Sequence, residues 1–156
     1  MSDSNTLQFV DYVTNRLKEF RIETIIFGGW AEELARTIEP RPHKDIDLLY
    51  IADDFSLVDS FMKANNDIQE ILPKHFPHKR AFMCNDVMIE LLLLIPTSHG
   101  YTTHFWNQYT LAWPAFDPCI VSVSDLMVSQ ITPQEIIDFY RSHFSSIEEV
   151  RKMNIH

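Results

Sequence analysis

The sequence predicts an α+β domain of the α/β type, a mixed β-sheet flanked by helices and followed by short C-terminal helices. Strand-like apolar runs alternate with amphipathic stretches through the first two thirds, and helical spacing returns after residue 132. A double glycine, Gly28-Gly29, closes one apolar run. Fourteen residues after Gly29 comes His43, opening His43-Lys44-Asp45-Ile46-Asp47-Leu48, with two aspartates two positions apart in a second apolar run.

In chain order, residues 5–20 place Leu7, Val10, Val13, Leu17 and Phe20 at spacings of three and four, the pattern of an amphipathic helix. Residues 24–27 read as a short buried strand. Gly28-Gly29 then forms a strand-to-helix turn whose backbone a ligand can approach closely. A helix is expected over 30–38, ended by the Pro40/Pro42 pair. Residues 45–51 form a strand, and 53–64 a helix with an aspartate cap.

Three strands are expected next, at 68–72, 79–84 and 87–95, with Asn85-Asp86 as a hairpin turn. Residues 100–118 are aromatic and irregular, and 119–123 read as a last short strand. The remainder is expected as helices over 124–131, 133–142 and 146–153. Thr132-Pro133-Gln134-Glu135 carries a capping-box pattern with Pro at the first helical position.

Length and composition bound the function. A chain of 156 residues is expected to form one domain, 1–156, with a core sufficient for stability. Net charge is −9 without a Lys/Arg block, which disfavours a nucleic-acid partner and suits a small cationic or neutral substrate. Cys84 and Cys119 are the only cysteines and lack zinc-site spacing, so they read as reduced thiols. The N-terminus lacks signal-peptide features, and the longest apolar run, 87–95, is too short to span a membrane. The expectation is a cytoplasmic protein with no membrane partner.

On a strand, Asp45 and Asp47 project from one face. Adjacent carboxylates at a sheet surface repel unless a cation neutralises them, and a hard divalent ion such as Mg²⁺, with a nucleoside triphosphate, is the usual solution. Glu90 is the lone charge in a strand otherwise suited to a core, and reads as a third acid facing a cation or polar cleft. Its alternative is a sheet-edge position or a salt bridge to Lys79 or Arg80 across the hairpin. Asp86 competes as third acid, though its context fits a turn. Arg41, His43 and Lys44 could neutralise the β- and γ-phosphates or leaving pyrophosphate, or form an ordinary solvated loop. Glu32 and Glu33 read as a solvated helix face. His75, His78, His99 and His104 show no ligand spacing. The aromatics of 101–116 could wall an acceptor pocket or serve as core.

Together, GGWAEEL and RPHKDIDLLY resemble the nucleotidyltransferase superfamily pattern: a strand ending in Gly-Gly, a helix, an Asp-x-Asp strand and a later acidic strand. Gly-Gly-Trp and Arg-x-His-x-Asp-x-Asp are most similar to the small antibiotic nucleotidyltransferases, those acting on lincosamides and aminoglycosides. The resemblance implies a nucleotidyltransferase-like fold over 1–156. It also implies Mg²⁺ as cofactor, a nucleoside triphosphate, expected to be ATP, as co-substrate, and a small-molecule hydroxyl acceptor. Gly28 and Gly29 would hold the phosphates with Arg41, His43 and Lys44. Asp45, Asp47 and Glu90 would be the catalytic, metal-ligating acids. Lincosamide enzymes favour Asp at the third position followed by His, whereas this chain has Glu90 followed by Leu91–Leu94. The core is shared with toxin–antitoxin nucleotidyltransferases acting on protein or RNA, and a non-catalytic nucleotide-binding module is a third reading. The resemblance also admits a site built across a homodimer.

Overall fold

A computed structural model describes residues 4–124 and 127–154. Helix α1, Leu7–Glu19, buries Val10, Val13 and Leu17 on one face, as the spacing predicts. Its N-cap is Thr6, whose hydroxyl accepts from Phe9 N at 3.2 Å. Strand β1, Thr24–Phe27, runs directly into helix α2, Gly28–Leu34. That helix includes both glycines and stops four residues short of the expected end, with Arg36 in the left-handed region at φ 61°. Strand β2, Asp45–Ile51, has the expected bounds. Helix α3, Ser56–Ala64, starts later than expected, and it is Asp54, through Oδ1, that accepts from Ser56 N at 2.9 Å.

The expected strand at 68–72 shrinks to β3, Gln69–Glu70, followed by a 3₁₀ turn over Leu72–Lys74 that contains Pro73. Proline removes a ladder donor, which confines this segment to a brief edge pairing. Strands β4, Lys79–Cys84, and β5, Val87–Pro96, form the hairpin. Asn85 and Asp86 both take positive φ, at 48° and 69°, as a tight two-residue turn requires.

Three expectations fail in the last third. The aromatic stretch is a regular hairpin of β6, Gly100–Phe105, and β7, Tyr109–Pro114, joined by a turn with Trp106 and Asn107 at positive φ. Strand β8, Cys119–Ser124, is followed by strand β9, Met127–Ile131, where a helix was expected. Residues 125 and 126 of that expected helix lie outside the described residues. In β9, Ser129 and Ile131 are buried and Gln130 is half-buried between them, which is strand alternation. Eight residues are too few to separate the two periods by sequence, and β8, with β1 at Ile26 and Ile131, offers pairing that a helix could not use. Helices α4, Gln134–Ser142, and α5, Phe144–Asn154, complete the chain. The capping box does not form: the Thr132 hydroxyl donates instead to the Ile26 carbonyl at 2.8 Å, tying the start of α4 to β1.

The main sheet is mixed, in the order β3-β4-β5-β2-β1-β9-β8, with β6 and β7 continuing from the far end of β5. Strand β2 lies between antiparallel β1 and parallel β5, the most enclosed place in the sheet. Ile46, Leu48 and Leu49 are buried there and join a core with Ile26, Leu91 and Phe61. Among the described residues, no helix is long and apolar enough to cross a membrane.

Candidate active site

Sheet register assembles the acids. Asp47 lies opposite Glu90 on β5 and opposite Phe27 on β1, while Asp45 lies opposite Met88. Asp45, Asp47 and Glu90 therefore share one face of adjacent strands. Phe27 is the last residue of β1, so the chain turns at Gly28 beside Asp47. A Cβ on Gly28 would stand 2.7 Å from Asp47 Oδ2, and its φ is +65°. That glycine is thus dictated first by the neighbouring acid. At Gly29 a Cβ would meet His43 Nδ1 at 2.8 Å and an Arg41 guanidinium nitrogen at 3.1 Å. Both glycines leave room for the side chains of the predicted site.

The acids are electrostatically unequal. Burial pushes the Asp47 carboxyl up to about 7, with the charges of Asp45 and Glu90 adding to it. Asp45 is raised for the same reasons, burial first and then Glu90. Burial also acts on Glu90, but Lys79 and Lys74 outweigh it and hold that carboxyl below its ordinary value. Lys74 Nζ donates to Glu90 Oε1 at 2.7 Å, and Lys79 Nζ to Oε2 at 3.0 Å. The salt bridge weighed for Glu90 thus coexists with its place beside Asp47. Lys79 was foreseen as a partner; Lys74, from the short 3₁₀ turn, carries no sequence signal.

A network around α2 fixes the loop before β2. The buried Asn5 donates to the carbonyls of His43, at 2.9 Å, and Asp45, at 3.1 Å, and accepts from Trp30 Nε1 at 3.0 Å. Trp30 packs on the His43 ring with centroids 4.2 Å apart. His43 Nε2 donates to Glu33 Oε1 at 2.8 Å, so His43 is a buried clamp of this loop, leaving Nδ1 facing Gly29. Neither glutamate of α2 is a free solvated group. Glu32 is 4% exposed and takes a two-pronged ion pair from Arg141 on α4, which holds its carboxyl below the ordinary value. Asp86 occupies the exposed β4–β5 turn and is not part of the cluster.

Two hollows meet at Asp47. One, of about 330 Å³, is lined by Gly29, Arg41, His43, Lys44, Asp45 and Asp47. The other, of about 450 Å³, runs from Gly28, Asp47 and Glu90 to Ile137, Tyr140 and Phe144 on the C-terminal helices. None of the aromatics of 101–116 lines it. Trp113 instead backs its wall, stacked on Tyr140 at 5.8 Å and edge-on to Phe27 at 6.3 Å. Burial, with Asp47 and Glu90 nearby, pushes the Tyr140 phenol up, so it stays protonated.

Acids on one sheet face, near enough to raise one another's proton affinity and one of them raised to neutrality, suit a hard divalent cation. Among the described residues, the trio whose ligand atoms come within 4.8 Å of one another is a different one, Asp59, Glu70 and His75. Its lone pairs are already engaged, Asp59 with Arg80 at 2.7 Å and Glu70 with His75 at 2.6 Å.

The mixed sheet and flanking helices have the nucleotidyltransferase-like fold. The lincosamide antibiotic adenylyltransferase LnuA, in its lincomycin-bound structure, superposes with a TM-score of 0.67 at 12% identity, covering 89% of this chain and 87% of that one. A Thermotoga maritima protein proposed to be a nucleotidyltransferase gives 0.64 at 12% identity over 99% and 93% of the two chains. The aminoglycoside-resistance protein ANT(2″)-Ia, in complex with adenylyl-2″-tobramycin, gives 0.58 at 13% identity over 90% and 78%. At these identities the likeness is one of fold. No protein-family profile and no curated protein matches the sequence.

Proposed function

We propose that this chain is a Mg²⁺-dependent nucleotidyltransferase that moves a nucleoside monophosphate from a nucleoside triphosphate, ATP in the first instance, to a hydroxyl of a small molecule. The observation that carries this reading is Asp47: an enclosed carboxylate with raised proton affinity, in register with Glu90, at the junction of a polar hollow that holds Arg41 and Lys44 and a more apolar one. The fold shared with two antibiotic nucleotidyltransferases supports it.

Asp45 and Asp47 would hold the metal, with Glu90 as third acid. The ion supplies neutralisation of phosphate charge and orientation of the transferred group. Arg41 and Lys44 would attract the β- and γ-phosphates, with the Gly29 backbone beside them and the His43 clamp holding the loop. Glu90, kept ionised by Lys74 and Lys79, would serve as a metal ligand or as the base for the acceptor's hydroxyl. Tyr140 and Phe27 would exclude water from the hollow that reaches the C-terminal helices.

Calorimetry with Mg²⁺ and a non-hydrolysable ATP analogue tests the reading. Binding is expected to need the metal and to be lost in Asp45→Asn and Asp47→Asn. Equal binding in both variants and the native chain would overturn it.

A further inference from the structure

The larger hollow bears on which acceptor the site takes. Its body is apolar, built from Phe27, Leu92, Ile137, Tyr140 and Phe144, and about 450 Å³ is the size of a drug-like ligand site. Phe144 is 46% exposed although large and apolar, and lines the hollow from the first turn of α5. Its charged lining residues are balanced: Asp47 and Glu90 at the catalytic end, and Lys79 and Arg141 as cations. Glu90 is bound by two lysines, so no unpaired carboxylate remains for an ammonium group once a cation occupies the aspartates.

The two hollows share Asp47 as their one common lining residue. In an in-line displacement the entering oxygen lies opposite the leaving group. With pyrophosphate on the Arg41/Lys44 side, the acceptor enters from the Tyr140/Phe144 side. Building on the transferase reading above, we infer that the acceptor is an apolar, non-cationic hydroxyl compound seated between β5 and the C-terminal helices, and not a polyamine sugar. Its oxygen forms the new bond to the α-phosphorus and the bridging bond to the β-phosphate breaks. Pyrophosphate leaves with the electron pair, and the hydroxyl proton passes to Glu90. The chain's net charge of −9 points towards a cationic substrate, but this local balance of charge reverses that expectation.

Three matched probes test it on the full chain: 2-(2-naphthyl)ethanol, 2-naphthylacetate and 2-(2-naphthyl)ethylammonium, titrated by amide-resolved NMR. The alcohol and the carboxylate are expected to shift Ile137, Tyr140 and Phe144, with and without Mg²⁺ and a non-hydrolysable triphosphate. With Mg²⁺ present, the ammonium compound is expected to bind at least tenfold more weakly. Phe144→Ala is expected to weaken the alcohol severalfold, and Phe144→Glu to recover ammonium binding. Equal or tighter ammonium binding to the native chain with Mg²⁺ present, or shifts confined to other residues, would overturn the inference. So would displacement of the alcohol by the triphosphate, which would place the nucleoside there. Retained alcohol binding without any triphosphate binding would instead overturn the transferase reading, leaving the pocket's preference for uncharged ligands in place.

Discussion

Asp47 and Glu90 stand opposite each other across the parallel β2–β5 pair, yet only Glu90 is neutralised by neighbouring lysines. The same sheet face thus holds one carboxylate poised to stay ionised and one poised to titrate near neutrality. Several measurable consequences follow from this asymmetry.

Asp47 should make the chain less stable as pH rises. Its folded-state carboxyl titrates at about 7, against an ordinary value of 3.8. Between these values the native state holds a proton that the unfolded state has released, so stability is lost across that window. The loss is on the order of 4 kcal/mol. Asp47→Asn is expected to flatten the fall in melting temperature from pH 4 to 8, and Mg²⁺ to offset it in the native chain alone. A native profile matching that of Asp47→Asn would contradict the assignment.

The lysines that hold Glu90 should be structural in the metal-free protein. Lys79→Met leaves Glu90, with a side chain 13% exposed, beside Asp47 with Lys74 as its remaining basic partner. A destabilisation of about 1–3 kcal/mol is expected, the scale for a buried group losing a partner. Denaturant titration of Lys79→Met and of Lys79→Met/Glu90→Gln checks it, because removing both groups should recover much of the loss.

Glu90→Gln keeps size and hydrogen-bonding reach while removing charge. If Glu90 takes the acceptor's proton, turnover should fall on the order of 10²-fold or more, with triphosphate affinity changed much less than in Asp47→Asn. Pyrophosphate release measured with an accepted alcohol decides this. Full turnover in Glu90→Gln would shift the proton-accepting role to another group.

Gly29→Ala tests the glycine turn. The added Cβ would lie 2.8 Å from His43 Nδ1, so the ring must move and carry the Arg41 loop with it. Triphosphate binding is expected to weaken more than tenfold, a larger loss than the accompanying fall in melting temperature accounts for. Proportionate loss of both would mean that the glycine serves folding alone.

His78 should set the acid limit of stability. Burial, with Lys79 nearby, pulls its ring down to about 3 from an ordinary 6.5, and Nδ1 accepts from Trp106 N at 3.1 Å. Between those values the unfolded chain binds a proton that the native one excludes, so stability falls as pH drops through the window. His78→Gln is expected to be less stable at pH 7 but to lose less stability between pH 6.5 and 4. Urea midpoints at several pH values compare the two slopes.

Local rules made much of the molecule legible in its sequence. The period of 3.6 placed α1, and the alternation of β2 put Asp45 and Asp47 on one face. Asn85-Asp86 specified its own turn, because positive φ at two successive residues is a local preference. The glycine pair was visible too, but its reason was not. Gly28 is excluded from bearing a Cβ by Asp47, nineteen positions further along the chain.

Only the tertiary structure decided the rest, wherever the cause was a partner distant in the chain. Strand β9 exists because β8 pairs with it antiparallel and β1 meets it at Ile26 and Ile131, and the Thr132 hydroxyl went to Ile26 and not to a helix cap. Glu32 could not be recognised as buried until Arg141 reached it across 109 positions, nor Lys74 as the partner of Glu90. Sequence by itself determined which carboxylates share a face, since backbone geometry fixes that over two residues. The unequal charge states of Asp47 and Glu90, and the two hollows that share Asp47, depend on desolvation and on cations brought by other elements, and these arise only once the sheet and the C-terminal helices pack.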